Sequence, residues 1–236
     1  MSESPWLREI PRADEILHEV LTHLDKEYDF RRRIKNSEIP LSQAAIKLER
    51  ACHKRYREYE NVVREKYLKR GVDPAKLEKS LMQTRATRAG RTVELIIHTL
   101  LDIVGIPNEK NVRYPHRDGE TLDIVIPSSH VLKIRPKDAI IISIKRQVRE
   151  RWREIVGEAY ILRKIHGIPD NIWFVTITCN ISTYIVRSMT KLEIRVYVPN
   201  ECYEEFKDVG ARCVSDLVND VKSFLESRGL LKQTSS

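Results

Sequence analysis

The spacing of apolar positions changes near residue 105, and the change predicts where helices give way to a sheet. Residues 12–35 and 41–70 place apolar side chains at helical intervals among many charges and read as two amphipathic helices, broken around Asn36-Ser37-Glu38-Ile39-Pro40. Gly71-Val72-Asp73-Pro74 ends the second and starts a short third. After Arg91, the residues Val93, Ile96, Ile97, Leu100, Leu101 and Val104 form one apolar stripe, stopped by Gly105-Ile106-Pro107. Beyond it the pattern shortens to period two, which predicts strands near 110–115, 121–126 and 139–146. A helix at 150–165, a strand at 172–177, a short helix at 181–190 and a strand at 192–198 follow, and helices at 201–208 and 215–227 close the chain. This order suits an α/β fold, a mixed sheet flanked by helices with a helical N-terminal extension. No repeat or low-complexity linker interrupts it, so residues 1–236 read as a single domain. Its parts are a helical portion to residue 84, a core over 85–200 and C-terminal helices over 201–236.

Both central strands end on a charge. In Leu122-Asp123-Ile124-Val125-Ile126, Asp123 and Val125 share a face; in Ala139 to Lys145, Ile141, Ser143 and Lys145 share a face. Adjacent strands would therefore bring Asp123 and Lys145 together at one edge of a sheet. A solvated strand end or a structural ion pair is the ordinary explanation for such a pair taken alone. Here a helix follows, opened by Arg149-Glu150-Arg151 and carrying Glu158 seven residues after Arg151, about two turns further on the same face. Glu158 can then point back toward Lys145. Two carboxylates and a lysine are what a metal-dependent phosphodiesterase needs: the acids hold Mg²⁺ against the scissile phosphate and the lysine orients or activates the attacking water.

Asp123, the run Ser143-Ile144-Lys145, and Glu158, spaced by 22 and then 13 residues, resemble the type II restriction endonucleases of the PD-(D/E)xK superfamily grouped around EcoRII, PspGI and NgoMIV. In that group the second acid has moved from the strand, position 143 here, to the following helix. Arg88-Ala89-Gly90-Arg91-Thr92-Val93-Glu94 is similar to the group's Arg-Ala-Gly-Arg-Ser-x-Glu signature at the start of the helix before the sheet. Arg149-Glu150-Arg151 is similar to the Arg-(Asp/Glu)-Arg element that reads C:G pairs. The three motifs span residues 85–160, and the resemblance fades in the first 80 residues and after about residue 200. It implies a restriction-endonuclease-like core with Mg²⁺ at Asp123 and Glu158, Lys145 at the nucleophile, and Glu94 as a supporting acid. It further implies a homodimer that cuts double-stranded DNA at a palindromic CC…GG site, CCWGG or CCNGG, with the central bases flipped out of the stack. Tyr56, Tyr59, Arg85 and Arg88 are then candidates to stack on a flipped base, Arg85, Arg88 and Arg91 to contact the backbone, and a DNA methyltransferase gene is the expected neighbour.

Composition agrees with a polyanionic partner without naming one. The net charge is +8 and 32% of residues are charged. Cations interleave with aromatics along Lys47, Arg50, Lys54, Arg55, Tyr56, Arg57 and Tyr59, a pattern of many solvated helix faces that also suits a DNA backbone. Arg88 and Arg91 fall at a predicted helix start, where a cation opposes the macrodipole and gains from a nearby phosphate. Glu94 also reads as a boundary glutamate of its helix, and Arg149-Glu150-Arg151 as exposed charges that touch only phosphates. Cys52, Cys179, Cys202 and Cys213 show no CxxC spacing, so neither a zinc site nor a disulfide is expected, and the seven histidines form no catalytic pattern. No run approaches the roughly 20 apolar residues of a membrane span and no signal-peptide core is present, which reads as cytoplasmic. Other functions fit parts of this pattern. A structure-directed nuclease, such as a junction resolvase or repair enzyme, keeps the acids and lysine but has no need of a base-reading Arg149-Glu150-Arg151. A DNA-binding module without catalysis keeps only the basic surface, and composition does not separate a ribonuclease.

Overall fold

In the computed structural model, which describes residues 4–113, 121–148, 151–167 and 171–231, the charged N-terminal helices pack their apolar stripes on one another and on one face of a sheet. The stretch predicted as one helix over 12–35 is two, α1 (Ala13–Tyr28) and α2 (Phe30–Lys35). Asp29 between them takes the left-handed conformation, φ 51°, which a short polar side chain tolerates better than most.

Helix α3 (Leu41–Lys69) turns at Gly71 into α4 (Pro74–Ile103). Asp73 caps α4 by accepting from the Lys76 N–H at 2.8 Å, and Pro74 occupies the first turn, where a missing N–H costs nothing. This helix runs unbroken for 30 residues, whereas the sequence suggests a short helix and then a second one beginning near Arg88. Gly90 at its middle costs about 1 kcal/mol relative to alanine, but Leu77 and Leu81 before it and Val93, Leu95, Ile96, Ile97, Leu100 and Leu101 after it are buried in the same core and carry the helix through. Arg88 and Arg91 are therefore mid-helix residues, and the macrodipole argument for them does not apply.

Among the described residues the sheet has six strands in the order β1 (Glu109–Arg113), β2 (Thr121–Ile126), β3 (Ile140–Ile144), β4 (Ile172–Val175), β5 (Arg195–Val198) and β6 (Arg212–Cys213). The first three are antiparallel neighbours and the rest are parallel. β6, two residues long, gives too short a pattern to be read from sequence. Alternation along β3 sends Ile140, Ile142 and Ile144 to the core shared with α1, α3, α4 and α9 (Leu217–Ser227). Ile141 faces the opposite core, beside Leu132 of α5 (Ser129–Ile134) and residues of α6 (Trp152–His166), α7 (Thr183–Lys191) and α8 (Tyr203–Phe206). Among the described residues no helix is long and apolar enough to cross a membrane.

Contrary to the sequence expectation, Cys179 and Cys202 are joined by a disulfide. They follow the parallel strands β4 and β5, so strand pairing rather than local spacing brings them together. Closing the 23-residue separation removes chain entropy worth about 3 kcal/mol in the unfolded state.

Buried polar links fasten the helical portion to the core. Glu60 is fully buried on α3 and accepts from Arg85 of α4 through Nε at 3.1 Å and Nη2 at 2.9 Å, and from Arg57 at 3.0 Å. Arg88 donates to the Ile10 and Pro11 carbonyls at 3.0 and 2.7 Å and to Leu7 O at 3.3 Å, fixing the segment that leads into α1. Arg146, just past β3, donates to Glu49 of α3 at 2.9 Å. Removing the main partner of a buried carboxylate leaves it uncompensated, so Arg85→Ala is expected to cost about 3 kcal/mol. Arg57→Ala, at a side chain 40% exposed, should cost within about 1 kcal/mol. Calorimetric melting of the two variants checks the contrast, and equal losses would contradict it.

Candidate active site

The catalytic candidates meet where three strands run side by side. The β2–β3 ladder pairs Ile124 with Ile142 and Val125 with Ile141, which sets Ser143 opposite Asp123 one step further. On the other flank, β1 pairs Lys110 with Ile124 and Val112 with Leu122, which sets Asn111 opposite Asp123. Asp123 Oδ2 accepts from the Ile144 N–H at 2.7 Å and from Lys145 Nζ at 3.0 Å. Both side chains are largely shielded, 17% and 15% exposed, so the carboxylate is held in one direction by a backbone donor and an ammonium together. The Ser143 hydroxyl is buried and has no hydrogen-bond partner among the described residues.

Glu94 reaches the same place from α4. Burial pushes its carboxyl above the usual range, the Asp123 charge pushes it further, and Lys145, Arg91 and Arg151 oppose the rise. Desolvation and a like charge are the two effects that disfavour an ionised carboxylate. Glu94, Asp123 and Lys145 are thus brought together, with Arg151 in electrostatic reach. Arg151 also bonds Glu154 at 3.2 Å on the exposed side of α6. Glu158 is half-buried further along α6. Arg149 and Glu150 lie outside the described residues.

The donor chemistry fits a hard divalent cation. Glu94 is a carboxylate whose charge is disfavoured by burial and by Asp123, and only one Asp123 oxygen is engaged by protein donors among the described residues. No group of three or more His, Cys, Asp or Glu converges among the described residues. Mg²⁺ characteristically takes one or two carboxylates and draws its remaining oxygens from water and phosphate.

The other candidates lie in the helical portion. Tyr56, Arg85 and Arg88 line a cavity between α1, α3 and α4 together with Glu49, His53 and Thr92. The Arg88 guanidinium sits 5.5 Å from the Tyr56 ring centre, and the Tyr56 hydroxyl is buried with no partner among the described residues. Burial pushes that phenol up to about 12. Tyr59 instead donates to Glu19 at 3.0 Å and lies under Arg55. Arg91 donates to Asn111 at 2.5 Å and stands 3.8 Å from Glu94. Sequence reasoning missed Asn111, whose left-handed backbone (φ 51°) inside a strand has no period-two signal, and Glu49 and Glu60, which look like ordinary helix-face glutamates.

The EcoRII C-terminal family model matches residues 52–221. The restriction endonuclease PspGI in its complex with substrate DNA superposes with a TM-score of 0.86 at 34% identity, covering 95% of this chain and 96% of that one. Metal-depleted Ecl18kI in complex with uncleaved, modified DNA superposes at 0.79 and 17% identity over 97% of this chain and 83% of that one. Its complex with uncleaved DNA gives 0.75 at the same identity over 96% and 82%; at that identity the likeness concerns the fold. No curated protein matches the chain. The family model spans most of the chain and a restriction endonuclease aligns with nearly all of it at a third identity, so the chain belongs to the EcoRII C-terminal family and is a type II site-specific endonuclease.

Proposed function

We propose that this endonuclease hydrolyses double-stranded DNA at a palindromic CC…GG site, CCWGG or CCNGG, as a homodimer that uses Mg²⁺ and flips the central bases. A methyltransferase of the same specificity is the expected genetic neighbour. The observation that carries the chemistry is the shielded Asp123–Lys145 pair faced by Glu94. Asp123 and Glu158 would hold the ion, which when bound supplies a Lewis acid for the scissile phosphate and lowers the pKa of the attacking water. Lys145, steered by Asp123, orients that water or meets the charge developing on the phosphate. Glu94 orients Lys145 and the water from the α4 side. The Ile144 N–H keeps Asp123 from rotating away, so the site is preorganised by backbone.

Asp123→Ala, Lys145→Ala and Glu158→Ala are each expected to lower cleavage of a CCWGG plasmid by roughly 10³-fold or more, in line with removal of a principal electrostatic group. Specific binding in Ca²⁺ should persist in all three. Glu94→Gln removes a carboxylate that is costly to bury beside Asp123, so it should slow cleavage yet raise the melting temperature of the metal-free protein. A lowered melting temperature would contradict the charge arrangement.

Specificity would rest on Arg149 and Arg151 as forks for guanine O6 and N7 and on Glu150 as acceptor for cytosine N4, all in the major groove. Losing either arginine should cost about 1–3 kcal/mol on the cognate duplex and far less on a scrambled one. Titrations at two salt concentrations distinguish this from phosphate contact, which would weaken both duplexes alike.

Tyr56 of α3, with the Arg88 guanidinium 5.5 Å from its ring centre, is the candidate to stack on a flipped base. A 2-aminopurine at the centre of the site should brighten strongly on binding, and Tyr56→Ala should diminish that signal. An unchanged signal with wild-type protein would mean that the centre stays stacked.

A further inference from the structure

A groove between the start of α1, the middle of α4 and strand β1 gathers cations beside the active site. Its lining includes Arg12, Thr87, Arg88, Arg91 and Lys110, with Asp14 as the single acid. The arginines there have different tasks. Arg88 is spent on the carbonyls of Leu7, Ile10 and Pro11, which fixes the segment that ends in Arg12. Arg91 is steered by Asn111 and stands between the groove and Glu94. Arg12 and Lys110 are exposed, and neither side chain has a hydrogen bond or ion pair among the described residues. Elsewhere Arg31, Arg55, Arg64 and Arg212 are each tied to a carboxylate. Unpaired cations converging on one groove suit an external polyanion.

The contacts of Arg91 place the groove beside the active site. Arg91 lines the groove, donates to Asn111, the residue opposite Asp123 in the sheet, and stands 3.8 Å from Glu94. The groove therefore borders the Glu94 side of the site. We propose that it holds the sugar-phosphate backbone of the DNA strand being cut, next to the scissile phosphate, with Arg12, Arg91 and Lys110 as its cations. Arg88 acts there as a positioning residue that fixes Arg12. The proposal rests on the reading of the protein as a DNA-cleaving enzyme and adds a sequence-independent contact to it.

The test is a binding titration of the full chain in Ca²⁺ against a CCWGG duplex and a scrambled duplex across a range of salt. Arg12→Ala with Lys110→Ala should weaken both duplexes by the same factor, roughly 10–50-fold at ~0.1 M salt, and flatten the salt slope by about two. Asp14→Asn removes the acid that lines the groove among the described residues and should tighten both duplexes, a gain that a misfolded variant would not produce. Arg12→Lys should restore most of the affinity, and Lys191→Ala, on α7, should change nothing. A loss confined to CCWGG would mean base contact and overturn the proposal, as would unchanged affinity and slope in the double variant. Wild-type protein that neither binds nor cuts any duplex would instead retire the nuclease reading.

Discussion

The carboxylate of Asp123 sits inside the sheet, and the arrangement of the site depends on how it is held. One oxygen takes both the Ile144 N–H and the Lys145 ammonium, so the two charged side chains are fixed against each other by a strand pair. A carboxylate at this depth costs several kcal/mol to desolvate unless it is bonded. The ladder supplies one donor without any side-chain entropy, and Lys145 supplies the charge. The second oxygen and the Glu94 carboxylate carry the remaining negative charge. The same burial that makes the site unfavourable alone makes it receptive to a cation.

The helical portion serves that strand pair through buried polar links. Arg146 follows Lys145 directly and reaches back to Glu49, so the chain just past β3 is anchored to α3 at the residue next to Lys145. Glu60 with Arg85, and Arg88 with three carbonyls, fasten α3, α4 and the segment before α1 into one unit. Such links are poor sources of net stability compared with apolar packing. Their geometry is directional, however, and direction is what a groove of cations or a cavity over Tyr56 requires.

The central strands and their charged ends were legible because period two is strict there: Asp123 and Lys145 could be placed on one edge from alternation alone, and the ladder does bring them within 3.0 Å. The mixed sheet flanked by helices was readable for the same reason. What was not legible depended on partners distant in sequence. The apolar stripe after Arg91 reads as the start of a new helix, and only the buried residues on both sides of Gly90 show that α4 continues through it. Cys179 and Cys202 pair because β4 and β5 run parallel, which no cysteine spacing reveals. Asn111 gains its place from a left-handed residue within a strand, and Arg12 from a groove three elements contribute to. Period and spacing disclose the axis of the site, while its walls come from tertiary packing.

Arg151 stands at the start of α6, and its charge, with those of Lys145 and Arg91, opposes the rise that burial and the Asp123 charge impose on the Glu94 carboxyl. The cations around Glu94 therefore come from α4, the end of β3 and the start of α6, three elements far apart in sequence. Compensation of that carboxylate is a property of the tertiary fold, since no single segment supplies it.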